Sequence, residues 1–373
     1  MKAHNLKATS VANLEQQIAD LTKKQFQPTL ALVFCSVSFD LPAISAVFDK
    51  YQIQAVGCTT AGEIQDYDTN EQSIVAMLMD MRKENFKVFL QGSTNFDVFS
   101  AAQSIAQKAK ETFENPVLFV LTCGIRADGQ QAVEGLRSVL GSDVPIYGGL
   151  AADDLRVQAT YAFSEKQVIE QGVLALVLNG DKIETKGITT SGWQAVGNPK
   201  KVTKSSGNIV HMIDNLPAAE AYMHYLGIDK ETEAVTMRAM FPLQVQRADG
   251  TFVLRAPVMR IKEDNSLVFA GTVPQGATVR FSTEPGAEII EEVVKQINQL
   301  KESFPEPEAI WVVSCAARKL SFGITIEEEI QGIKDVWDAP LIGFFSYGEI
   351  GALQNGKCDF HNETISLLVL REK

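Results

Sequence analysis

The chain has 373 residues, enough for about two domains at roughly 150 residues each. With 45% hydrophobic and 21% charged residues it can bury a real core, which excludes disorder as its main state. Acidic side chains outnumber basic ones 46 to 34; a net charge of −12 with no local basic stripe excludes a nucleic-acid partner.

The five cysteines (Cys35, Cys58, Cys123, Cys315 and Cys358) are odd in number, widely spaced and free of any Cys-x-x-Cys unit. Neither a disulfide scaffold nor a structural zinc site is indicated. The N-terminal stretch MKAHNLKATSVANLEQQIADLTKK lacks an apolar signal core, and no run approaches the roughly 18 apolar residues of a membrane span. The expectation is a soluble, reduced, cytoplasmic protein with no membrane insertion.

In chain order, Val11, Leu14, Ile18 and Leu21 line one face of a first helix. Three internal repeats follow. The first runs from TLALVFCS through LPAISAVFDKY to IQAVGCTTAGEI. The second runs from NPVLFVLTCGIR through QQAVEGLRSVLG to VPIYGGLAADD. The third runs from EAIWVVSCAAR through TIEEEIQGIKDVW to APLIGFFSYGEI. In each, an apolar strand closes on a cysteine (Cys35, Cys123, Cys315), a helix-period segment follows, and a second apolar strand meets a glycine (Gly57, Gly148, Gly343). Continuous apolar strands suit a sheet covered on both faces, and strand–helix–strand units within about 30 residues predict parallel βαβ pairs.

Another strand signal follows each glycine loop: SIVAMLMDM, GVLALVLNG and ISLLVLRE. Between the second and third repeats, a short helix is expected from Pro217 to a stop at Gly227. TFVLRAPVMRIKEDNSLVFAG reads as a hairpin around Asp264 and Asn265, and GATVRF as a further strand. Ile289, Ile290, Val293, Val294, Ile297 and Leu300 line another helix. The fold class is therefore α/β: repeated βαβ units in largely parallel or mixed sheets, with additional strand-rich segments, in two domains. The expected division is a helical segment 1–27, a domain 28–224 and a domain 225–373, on the composition change near residue 225.

Ligands in open α/β sheets bind beyond the carboxyl ends of the strands, where all three glycine loops are expected. Gly148 and Gly149 allow close backbone approach there, or simply a turn. Glu63 and Glu349 hold matching places, with Asp153 and Asp154 in the second repeat. Such carboxylates either hold a ligand amine or guanidine, or bond their own loop's backbone N–H groups. Arg126 and Arg318, each three residues after a strand-end cysteine, could pair with them or receive a ligand carboxylate. Cys58, Thr59, Thr60, Ser346 and Tyr347 complete the set. It suits a small polar ligand such as an amino acid.

Catalytic signatures are missing. No phosphate-binding or dinucleotide glycine motif occurs, and Phe344 stands where a nucleophile elbow before Ser346 needs its first glycine. Of the histidines His4, His211, His224 and His361, no two are spaced i, i+4, and none accompanies a triad motif. The enzymatic alternative is Cys58 as a nucleophile, although nothing near it in sequence lowers its pKa.

The loops VGCTTAGEI, YGGLAADD, SGWQAVGNPKKVTKSSGNIVHMIDNLPAAEAY, FPLQVQRADGTFVLRAPV and IGFFSYGEIG with FHNETISLLVL together resemble the FIST family. The likeness runs in order from about residue 28 to the C-terminus. The resemblance implies an N-terminal and a C-terminal FIST domain of prokaryotic signal transduction, non-enzymatic and sensory, with amino acids as a suggested ligand class. Such domains are often fused to kinase, cyclase or chemoreceptor effectors. With no effector following the last strand, the expectation is a stand-alone sensor regulating a separate histidine kinase or cyclase. One stand-alone branch of the family binds heme, senses nitric oxide and regulates a partner histidine kinase; for this chain that alternative implies heme b as cofactor. That alternative needs an axial histidine, His224 or His211; His4 is terminal, and His361 lies in FHNET, a generic stretch of the C-terminal domain.

Overall fold

The computed structural model describes all residues except 25, 228–240, 248, 249, 284, 285, 287 and 353–356. The three repeats build three six-stranded mixed sheets. Each contains one parallel pair made by its own βαβ unit: Leu30–Cys35 with Gln54–Thr59, Pro116–Cys123 with Ile146–Leu150, and Ala309–Cys315 with Leu341–Ser346. The strand after each glycine loop returns antiparallel beside the first strand: Ile74–Met79, Gly172–Asn179 and Ile365–Glu372. An outer antiparallel strand borders it: Ala3–Ala8, Phe86–Gly92 and Ile183–Thr190.

The fifth and sixth strands of every sheet come from another repeat. The first repeat's hairpin, Glu63–Gln65 and Asp68–Asn70, extends the third sheet. The third repeat's hairpin, Glu349–Ala352 and Cys358–His361, extends the second. The second repeat's hairpin, Ala162–Ser164 and Val168–Ile169, extends the first. The exchange is cyclic, so the three sheets close into one pseudo-threefold body.

Alternation along the strands explains why both of their faces are apolar. Leu32, Phe34, Phe119, Leu121, Trp311 and Phe344 point into a central core shared by all three sheets. Ala31 and Val33 point outward to a layer with Leu14, Ile18, Ile44 and Phe48 from helices Val11–Lys23 and Leu41–Lys50. Val120 meets helices Val98–Thr112 and Gly129–Leu140 in the same way, and Val312 meets Glu288–Ser303 and Ile326–Lys334. Several of these helices start on a short polar cap: Ser10 accepts from Asn13 N, Asp40 from Ala43 N, Asp97 from Ser100 N and Asp128 from Gln130 N. Replacing the Asp40 cap by alanine is expected to lower stability by about 1 kcal/mol in urea unfolding.

In the third repeat a unit is inserted between Ile183–Thr190 and helix Glu288–Ser303, elements that follow one another directly in the other two repeats. Its eight strands include Gln194–Ser206, Ile209–Ile213 and Thr278–Thr283, with helix Ala218–Leu226 packed through Ala221 and Tyr222. Gly227 stops that helix at φ 66°, as expected. The hairpin around Asn265 forms between Pro257–Ile261 and Ser266–Phe269, whereas Phe252–Arg255 departs to the far edge of the sheet. The division expected at 224/225 falls inside this unit. The N-terminal segment 1–27 is tied into the first sheet by Ala3–Ala8.

Buried arginine anchors the insert. Arg255, 0% exposed, donates to Phe360 O at 2.9 Å and Gln130 Oε1 at 2.8 Å, while Arg247 pairs with Asp359 at 2.9 Å.

Candidate functional site

The glycines expected to turn the loops instead lie inside the second strands. Gly57, Gly148 and Gly343 pair with Val33, Val120 and Val312. A Cβ at Gly148, where φ is +136°, would stand 1.9 Å from Val120 O; at Gly343 it would stand 2.3 Å from Val312 O. They permit close strand packing rather than approach of a ligand. This pairing also shows that the strand-end cysteines are out of register: Cys35 lies two residues after its paired valine, Cys123 and Cys315 three.

Beyond the glycines the three loops lock together around the axis. Ala61 N donates to Phe345 O and Phe345 N to Gly62 O, both at 2.9 Å; Leu150 N donates to Gly348 O at 2.8 Å; Ala152 N donates to Thr59 O at 2.8 Å and Asp154 N to Thr60 O at 2.9 Å. Cys58, Thr59, Thr60, Glu63, Gly148, Gly149, Asp153, Ser346 and Glu349 are consequently buried. Of the expected set, Asp154 and Tyr347 are half-buried and Arg126 is exposed.

Two carboxylates sit in matching hydroxyl cradles. Glu63 Oε1 accepts from Thr60 Oγ1 at 2.6 Å, and Oε2 from Ser73 Oγ at 2.7 Å and Ser73 N at 3.2 Å. Glu349 Oε1 accepts from Ser346 Oγ at 2.5 Å, and Oε2 from Thr364 Oγ1 at 2.9 Å and Thr364 N at 3.2 Å. Burial raises Glu63 to about 7 and Glu349 to about 8, against hydrogen bonds that favour the ionised forms. Ser73 and Thr364 escaped the sequence reading. Their signal was a hydroxyl residue directly before each returning apolar strand.

The second repeat differs. Asp153 accepts from Val157 N at 2.9 Å, Gln158 N at 2.7 Å and Ala159 N at 3.0 Å, and from Tyr347 OH of the third repeat at 2.5 Å. Asp154 Oδ2 accepts from Ser36 Oγ of the first repeat at 2.7 Å and meets Arg156 at 3.4 Å. Asp154, Leu155 and Val157 all have positive φ (53°, 63° and 54°), a costly conformation for leucine and valine above all. This strap joins residues of all three repeats, the first repeat's Ser36 being fully buried beneath it.

The arginines do not join it. Arg318 is 0% exposed; its Nε donates to Glu329 Oε2 at 2.9 Å, its NH1 to Ser191 O at 2.6 Å, and its guanidinium lies over Phe322 and Trp193. Spacing suggested a ligand role, but the helix Ala316–Phe322, starting at once after Cys315, turns this side chain away from the loops. Arg126 lies over the Phe96 ring. Cys58 is corrected as a nucleophile: it is fully buried, and desolvation raises its thiol pKa well above the usual range.

Among the described residues, no heme pocket forms around His211 or His224. Both ring nitrogens of His211 are engaged, by Ser206 at 3.0 Å and Asp264 at 3.2 Å. His224 is exposed on its helix, edge-on to Tyr225, and the described residues build no buried apolar walls around it of the kind a heme ligand needs. His361 is buried with its pKa lowered to about 4 by desolvation, near Gly351 O. No helix among the described residues is long and apolar enough to cross a membrane.

The FIST N domain family model matches residues 29–216 and the FIST C domain model residues 218–352, meeting inside the inserted unit. The chain is also 22% identical to MJ1623, an uncharacterized protein of Methanocaldococcus jannaschii, over 93% of this chain and 74% of that protein. The three repeats, their glycine strands and the loops that join them are thus those of a sensory, signal-transduction domain pair, and the chain belongs to the FIST family.

Proposed function

We propose that this protein senses a small polar ligand, an amino acid being the expected class, at the rim formed by Asp154 and Tyr347 over the buried Ser36, and regulates a separate effector such as a histidine kinase or cyclase. The observation that supports this reading is the strap from Asp153 to Ala159. It holds non-glycine residues in left-handed conformations, joins all three repeats, and carries the half-buried Asp154 carboxylate next to Arg156. A ligand amine would compete for Asp154 and a ligand carboxylate for Arg156. Binding would then favour one of two strap arrangements, and the effector would read the altered surface.

The buried members of the expected set (Cys58, Thr59, Thr60, Glu63, Gly148, Gly149, Ser346 and Glu349) support this rim from beneath, through the interlocked loops.

A thermal-shift screen of the twenty amino acids tests the assignment. At least one should stabilise the protein, and Asp154→Asn should weaken it roughly tenfold by removing a charge-assisted hydrogen bond. Stabilisation unaffected by Asp154→Asn and Tyr347→Phe would place the ligand elsewhere.

A further inference from the structure

At the other end of strand Ile146–Leu150, away from the interlocked loops, the second and third repeats leave a cleft of about 530 Å³. That lies within the range of small-molecule sites. One wall is Tyr147 with the neighbouring Val144 and Pro145. The other is the outer strand of the third sheet, from Thr185 to Ile188, with Gln299 and Leu300 of helix Glu288–Ser303. Gly187 lets the two walls meet: a Cβ there would lie 2.4 Å from the Tyr147 ring.

Tyr147, Lys186 and Gln299 are the polar groups of this cleft that carry the argument. Tyr147 is only 7% exposed, yet its hydroxyl has no hydrogen-bond partner among the described residues. Its oxygen is open to the cleft, so the phenol is a donor free to meet an acceptor there. Lys186 makes no ion pair and Gln299 no side-chain hydrogen bond among the described residues. Asp143 at the rim adds one negative charge and already accepts from Ser142 at 3.0 Å, which disfavours dianions. Val144, Pro145, Ile188 and Leu300 supply the apolar surface.

We propose that this cleft binds a small amphipathic monocarboxylate. Lys186 holds the carboxylate, Tyr147 and Gln299 hydrogen-bond it, and Ile188 and Leu300 cover its apolar body. The site is separate from the loop rim and stands whether or not that rim binds a ligand.

The test uses 4-(trifluoromethyl)phenylacetate as probe, followed by fluorine NMR line broadening with the full-length protein, and the matching amide as control. The carboxylate should bind the unmodified protein and the amide more weakly. Lys186→Gln should weaken the carboxylate roughly tenfold and Tyr147→Phe about fivefold. Gln299→Trp, a substitution at an exposed helix position that fills the cleft, should abolish binding, and Asp154→Asn should leave it unchanged. Thermal unfolding of each variant checks folding, and Lys186→Gln carries the test should the tryptophan variant not fold. No binding to the unmodified protein, equal binding of the amide, or binding unaffected by Lys186→Gln would overturn the proposal.

Discussion

Between pH 6.5 and pH 8 the protein is expected to lose about 2 kcal/mol of folding stability, most of it through Glu349. The folded state keeps a proton on Glu349 up to about pH 8 and on Glu63 up to about 7, whereas the unfolded chain releases both near the ordinary glutamate value of 4.5. In that window the folded protein binds more protons, so raising the pH favours unfolding. The contribution is complete below about 4.5 and gone above about 8. His361 acts with the opposite sign: its folded pKa of about 4 lies below the ordinary 6.5, so its contribution is lost as pH falls through that range. The two effects oppose each other between 4.5 and 6.5, which leaves the upper window as the clean one. Urea unfolding at half-unit pH steps reads the slope directly. Glu349→Gln, which cannot titrate, should flatten it, and Glu63→Gln should remove the smaller part below pH 7. A slope left unchanged by both substitutions would show that neither cradle holds a proton.

Arg318→Ala is expected to cost about 3–5 kcal/mol, because it leaves the Glu329 carboxylate, 0% exposed, without its guanidinium partner. The same change removes the hydrogen bond to Ser191 O and the stacking on Trp193 and Phe322, which fasten the start of the inserted unit. Replacing both ions, as Arg318→Met with Glu329→Leu, should recover much of the loss by taking away the stranded charge. A double variant as unstable as the sum of the single ones would count against a buried-pair origin. A ligand-binding arginine on an exposed loop would have shown little effect on stability.

How far the sequence could be read depended on the range of the interaction. The three βαβ pairs were legible because burial on both faces demands apolar strands such as LALVFC, PVLFVLTC and AIWVVSC. Helix Ala218–Leu226 was legible from Pro217 and Gly227, whose backbone preferences act locally. The Asn265 turn was legible for the same reason. By contrast, the segment TFVLRAPV looked like one arm of a hairpin. Its two halves join opposite edges of the sheet, because strand partners are chosen by tertiary packing and not by propensity.

The candidate site shows the same limit. Glu63 and Glu349 stood out as equivalent, and their cradles are equivalent in space. Their burial was not legible, since it comes from hairpins that leave their own sheet and lie across the next one. Arg126 and Arg318 matched in spacing, yet a helix after Cys315 and a loop after Cys123 send them in different directions.

By itself, the sequence determined that this protein is an α/β chain of three related units with strand-rich segments between the second and third, because hydrophobic period and glycine placement are local requirements of buried parallel strands. Only the tertiary structure decided that the hairpins pass cyclically from sheet to sheet, that the glycine loops close over their own carboxylates, and that Tyr147 faces a cleft. Each of these depends on which strand edge is free to take another repeat's backbone hydrogen bonds, and no single stretch of sequence carries that information.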